Sequence, residues 1–176
     1  NTNGDLTIQN SADDKDIIFQ CDDGSGGIET YFYLDGSASS GNPITRFPDD
    51  SRLTFGNSGD LKIYHNGTDS YISNNTGSLI IGAFGDDKDI IFKSDDGSGG
   101  TEVYFRLDGS LSSGNPFTVF PDNARLALGT SADMTVFHNG TDNYIIGSTG
   151  DMYVRQNAND KDIIFECDDG SGGTET

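Results

Sequence analysis

Apolar residues along this chain come in short clusters, and polar, glycine-rich stretches separate them. Residues 6–8 alternate apolar with polar, residues 17–19 form a brief apolar run, and residues 29–34 (ETYFYL) read as a longer strand. After a Gly-Ser-Asn-Pro stretch at 36–43, further β-forming clusters fall at 44–47, 53–55, 61–64, 71–72 and 79–81. Short runs of β-formers at roughly 8–12-residue intervals, with Gly, Asn and Asp between them, predict an all-β chain. No stretch keeps a 3.6-residue apolar period long enough for a helix of ordinary length.

The pattern then returns. DDKDIIF at 13–19 reappears as DDKDIIF at 86–92 and as NDKDIIF at 159–165, an offset of 73 residues each time. Laid over residues 74–146 without a gap, residues 1–73 match at 45 positions. The organisation is therefore copy one at 1–73, copy two at 74–146, and a partial third copy at 147–176. Self-similarity at fixed period is the signature of an array, in which each unit relies on its neighbours for a core. A five-position pattern, Gly/Ala-Asp/Ser-Leu/Met-x-Ile/Val, also recurs 18 residues apart, at 59–63 and 77–81 and again at 132–136 and 150–154. That spacing hints at a solenoid rung. The fold expected is an elongated fibrous repeat, either an intertwined trimeric β-fibre or a β-solenoid built from 73-residue repeats.

Several turns are legible. Tyr64-His65-Asn66-Gly67-Thr68 recurs as Phe137-His138-Asn139-Gly140-Thr141, and Asn-Gly between β-formers is a strong hairpin signal. Residues 23–27 (DGSGG) recur at 96–100 and 169–173, where successive glycines permit positive φ in a tight loop or bulge. Leu34-Asp35-Gly36-Ser37 and Leu107-Asp108-Gly109-Ser110 end the longer strand.

Composition sharpens this picture. Hydrophobic residues make up 32% of the chain, too few for a self-sufficient core. The shortage favours a core shared between chains or stacked along a solenoid. Aromatic residues still reach 10%, so the chain is not a disordered polar tract. The net charge of −19, with ten basic residues, excludes nucleic acid as an expected partner, because phosphate binding needs clustered Lys and Arg. The acidic surface is read as a source of solubility that keeps exposed β-edges apart. No apolar run approaches the roughly 20 residues of a membrane-spanning helix, so no membrane insertion is expected. With no initiator Met and no signal peptide at its start, the chain reads as an internal piece of a longer one. Cys21 and Cys167 occupy equivalent positions two repeats apart, where copy two has Ser94. In an extended array such positions cannot approach for a disulfide, and they read as small, partly buried residues.

The motifs SGDLKIYHNGTDSYIS at 58–73 and SADMTVFHNGTDNYII at 131–146, with ETYFYLDGS at 29–37 and EVYFRLDGS at 102–110, resemble the repetitive shafts of tailed-bacteriophage tail fibres of the marine and cyanobacterial phage type. The resemblance covers essentially the whole chain. It implies a homotrimer with intertwined or side-by-side strands, and a virion-surface or extracellular location. It also implies further repeats and a distal receptor-binding tip elsewhere in the same chain. No residue here matches a receptor site.

The candidate chemistry is sparse. Asp13, Asp14, Asp16, Asp22 and Asp23 recur as Asp86, Asp87, Asp89, Asp95 and Asp96, and Asp168 and Asp169 follow in copy three. Oxygen-rich loops can hold Ca²⁺, so Asp22, Asp23, Asp95, Asp96, Asp168 and Asp169 are the calcium candidates. Their spacing fits neither an EF-hand nor a calcium β-roll, and the competing reading is turn formers and edge charges. His65 and His138 each precede an Asn-Gly turn; around a threefold axis such residues can bind a transition metal, although a local hydrogen bond is the ordinary role. Asn66, Asn74 and Asn139 head formal glycosylation acceptors that read as turns. Paired carboxylates serve glycoside hydrolysis, yet these acids recur in every copy and no Trp offers a sugar platform. The expectation is a non-catalytic fibre shaft with no cofactor. A repeat adhesin or extracellular filament subunit, with calcium as its possible ion, is the alternative, and a polysaccharide-degrading tailspike comes third.

Overall fold

The computed structural model describes residues 4–38, 41–111, 114–168, 170 and 174–175, and no helix occurs among them. The strands are β1 (Ile17–Asp22), β2 (Ile28–Asp35), β3 (Ile44–Arg46), β4 (Leu53–Phe55), β5 (Leu61–His65), β6 (Ser70–Asn74), β7 (Ile90–Ser94), β8 (Glu102–Asp108), β9 (Phe117–Val119), β10 (Leu126–Leu128), β11 (Met134–His138), β12 (Asn143–Gly147), β13 (Cys167–Asp168) and β14 (Thr174–Glu175). They form small antiparallel sheets in the orders β1-β2-β3, β4-β5-β6, β7-β8-β9, β10-β11-β12 and β13-β14. One 73-residue repeat is thus two successive three-stranded meanders. The protein is all-β.

The chain divides into two units, Asn1–Ile81 and Gly82–Thr176. In the first unit, β1 pairs with β2 from Ile17↔Leu34 to Asp22↔Ile28, with a bulge between Phe19 and Gln20. In the second, β7 and β8 repeat that register with the bulge between Phe92 and Lys93. A bulge puts one extra residue on one strand and increases the local twist, so its repetition means that both copies bend at the same point. The Asn-Gly turns close hairpins as expected: His65 opposes Ser70 and His138 opposes Asn143. Gly67 (φ 88°) and Gly140 (φ 92°) adopt the left-handed conformation that this loop requires.

Side-chain alternation sorts each sheet into faces. Phe19, Phe32 and Phe47 share one face and stack in a row, with centroid separations of 4.5 and 5.7 Å. Phe92, Phe105 and Phe120 repeat the row at 4.4 and 5.8 Å. In the second meander, Leu53, Phe55, Leu61, Ile63 and Ile72 fall on one face by register, and Leu126, Leu128, Met134, Val136 and Ile145 on its counterpart. Neither kind of face is covered. Among the described residues no hydrophobic side chain is fully buried, and Thr135, 6% exposed, is the sole buried residue.

Two expected strands are missing. Residues 6–8 alternate apolar with polar and residues 79–81 form a continuous apolar run, but neither makes a ladder. Sequence pattern sets strand propensity, whereas a strand also needs a neighbour for its backbone groups. The two halves of the 18-residue sub-repeat accordingly differ in structure. Residues 61–63 lie within the central strand β5, and residues 79–81 pair with nothing.

Candidate functional site

The most regular polar features are the turns that carry the predicted calcium residues. Asp22 Oδ1 accepts the Gly24 amide at 2.9 Å. Asp23 Oδ1 accepts both the amide (2.8 Å) and the hydroxyl (2.6 Å) of Ser25. Asp95 and Asp96 repeat these bonds to Gly97 and Ser98, and Asp168 accepts the Gly170 amide at 2.8 Å. Asp169 lies outside the described residues. These are Asx turns, in which a carboxylate closes the loop that follows it. The Ser25 hydroxyl, then its amide, hold the Asp23 carboxyl below the usual carboxylate range, and Ser98 does the same for Asp96. Among the described residues no group of three or more His, Cys, Asp or Glu side chains is arranged to hold a metal ion.

A second carboxylate site, at the end of the long strand, was not anticipated as a unit. Asp35 Oδ1 accepts the Ser37 amide, the Ser37 hydroxyl and the Ala38 amide at 2.9–3.0 Å. Its other oxygen lies 3.0 Å from Arg46 Nε. Asp108 accepts the equivalent bonds from Ser110 and Leu111, but its cation is Arg106, with Nε at 2.9 Å. Arg46 comes from β3 and Arg106 from β8. The register explains the exchange: Tyr33 opposes Arg46 in the first copy, and Arg106 opposes Val119 in the second. The arginine has crossed the ladder to the facing position and still reaches the same carboxylate. Arg106 also approaches Asp89 at 3.5 Å.

Desolvation pushes the Asp35 carboxyl up, but the Ser37, Ala38 and Arg46 contacts together bring it below the usual range. For Asp108 the Ser110 amide and then Arg106 lower it to about 2. Asp16 and Asp89 tie the start of each meander to the same turn, accepting the Gly36 and Gly109 amides at 2.9 Å. These two bonds tie the residue before β1 or β7 to the residue after β2 or β8.

The histidines have local partners. His65 Nδ1 lies 3.1 Å from Ser70 Oγ, and His138 Nδ1 lies 3.1 Å from Asn143 Oδ1, each across its own hairpin. Asn66 and Asn139 are used in the loops, each accepting two amides through its side-chain oxygen. The thiols of Cys21 and Cys167 are free and exposed rather than partly buried. Cys21 lies on the edge strand β1, beyond the bulge, where nothing covers it.

One feature was missed. Where each first meander meets the segment leading into the second, an open cleft forms, of about 750 Å³ in the first unit and about 650 Å³ in the second. Both are lined at equivalent positions by an aromatic (Tyr31 or Tyr104), an arginine (Arg52 or Arg125) and the carboxylates of Glu29 or Glu102 and Asp49 or Asp122. Each guanidinium lies over a ring, Arg52 at 4.9 Å from Tyr64 and Arg125 at 4.2 Å from Phe137. The lining residues are scattered over about 30 positions of sequence, so only the fold brings them together. Comparison of the chain with family models, with curated proteins and with solved structures returned no match.

Proposed function

We propose that this chain is a length of non-catalytic structural fibre shaft, of the kind found in phage tail fibres, that self-associates as a homotrimer. In this reading it lies outside the cell or on a virion surface and spaces a distal receptor-binding element on the same chain from the particle. The observation that carries the reading is the uncovered apolar surface. A single chain folds its strands into meanders yet leaves every hydrophobic side chain among the described residues at least partly exposed. The exposed faces recur with the 73-residue period, so whatever covers them recurs with it.

Copies of the same chain in register meet that requirement, and the shared core then extends along the axis. Stability becomes a sum of repeat and interface terms. The polar work visible in the turns is structural: carboxylates close loops and clamp strand ends, and the surplus negative charge keeps separate fibres apart. Length and stiffness are then the function. Deletion of residues 74–146 tests it: a shaft shortens by one repeat and leaves binding at the tip unchanged.

The recurring cleft favours a second reading, a repeat adhesin whose units each contact ligand. Its aromatic, guanidinium and carboxylate lining would bind a polar ligand once per repeat. Under that reading the same deletion lowers avidity stepwise.

A further inference from the structure

The pattern Gly/Ala-Asp/Ser-Leu/Met-x-Ile/Val occurs in two structural states. At 59–63 and 132–136 it forms the central strands β5 and β11, paired on both sides. At 77–81 and 150–154 the same pattern pairs with nothing. The turn that launches it is nevertheless set identically, with φ of 64° at Gly59, 55° at Ala132, 67° at Gly77 and 64° at Gly150. Left-handed backbone is costly for alanine, so the turn is a shared device. The central x position shows the difference: Thr135 is 6% exposed, whereas Ile80 and Tyr153 are 81% and 75% exposed. Residues 70–85 also form the longest run of the chain without a charged side chain. Exposed strands are ordinarily guarded by charge or proline; residues 77–81 have neither, whereas residues 152–154 lie between Asp151 and Arg155.

We propose that residues 79–81, and 152–154 one repeat later, are strands that a second copy of this chain completes, by pairing with the outer edges of its β6 and β12. The chain carries both members of the contact. β6 ends its sheet with an open side, and it lies inside the same uncharged run as residues 79–81, so two chains of net charge −19 meet there without opposing carboxylates. Donor strand and receiving edge repeat with one 73-residue period, which a second copy matches and an unrelated partner has no reason to match. Main-chain hydrogen bonds supply the affinity, and Leu79 and Ile81 fall on one face of the added strand with Ile80 on the other.

This inference rests on the self-association proposed above, and hydrogen–deuterium exchange on the full chain separates the two. The probe is amide exchange at 79–81, 152–154 and β5, measured in the assembled species and after dilution to single chains. The expected result is that 79–81 and 152–154 are slowed by at least about 100-fold in the assembly and lose that protection on dilution. An assembled species in which β5 is protected but 79–81 and 152–154 exchange freely overturns the strand addition and leaves self-association standing. Protection that persists in single chains means pairing within the chain and also overturns it. A wild-type chain that stays single at every concentration defeats both proposals.

Discussion

Phe32 sits in the middle of its aromatic row, between Phe19 at 4.5 Å and Phe47 at 5.7 Å, and its truncation reads out whether that face is covered. In a single chain, Phe32→Ala removes two stacked pairs, whose geometry is worth about 1–3 kcal/mol in total on top of the ring area that the chain itself buries. The flanking rings are themselves 36% and 42% exposed, so solvent fills the gap and no closed cavity forms. If copies of the chain press their Phe faces together, the same truncation leaves a cavity in a packed core and costs about 3–5 kcal/mol per chain. Urea denaturation followed by circular dichroism on the assembled protein and on single chains measures the difference, with Phe105→Ala as the equivalent in the next repeat. An equal cost in the assembly and in single chains would refute the claim that this face lies in the shared core.

Other expectations follow from the turns. The Asp108 carboxyl has a folded pKa of about 2, below its ordinary value of 3.8, so its contribution is present above pH 3.8 and is lost as pH falls towards 2. Thermal melts of wild type and Asp108→Asn should therefore converge between pH 4 and 2; a constant difference across that window contradicts the assignment. Gly109→Ala should destabilise by about 1–3 kcal/mol, because its new Cβ would meet the Lys88 backbone carbonyl; an unchanged melt would show that the turn yields freely. Thermal midpoints should be equal in millimolar calcium and in EDTA, since Asp22, Asp23, Asp95 and Asp96 already close their own turns. A calcium-dependent rise would restore the ion-binding reading.

Local signals carried the strand positions well where the partner strand was also local. The clusters at 29–34, 53–55 and 61–64 became β2, β4 and β5 nearly residue for residue, because each pairs with a neighbour one turn away. Residues 6–8 and 79–81 are β-forming clusters of the same kind but have no paired neighbour within the chain, and composition of a cluster alone says nothing about partners. The Asp-Gly-Ser turns were legible as turns, since the bonds that hold them span two or three residues. The clamp on Asp35 and Asp108 was not. Its signal was present, an Arg46 replaced by Val119 together with a Tyr33 replaced by Arg106, but the exchange makes sense only once the register opposes those positions. The cleft around Tyr31 and Arg52 was hidden for the same reason.

The central claim is that the apolar faces are covered by copies of this chain, and solution mass and shape test it most directly. Light scattering combined with small-angle X-ray scattering on the 176-residue chain should give three chains in a long, thin particle. A single-chain particle at every concentration would contradict the account and leave the exposed Phe and Leu faces without their cover.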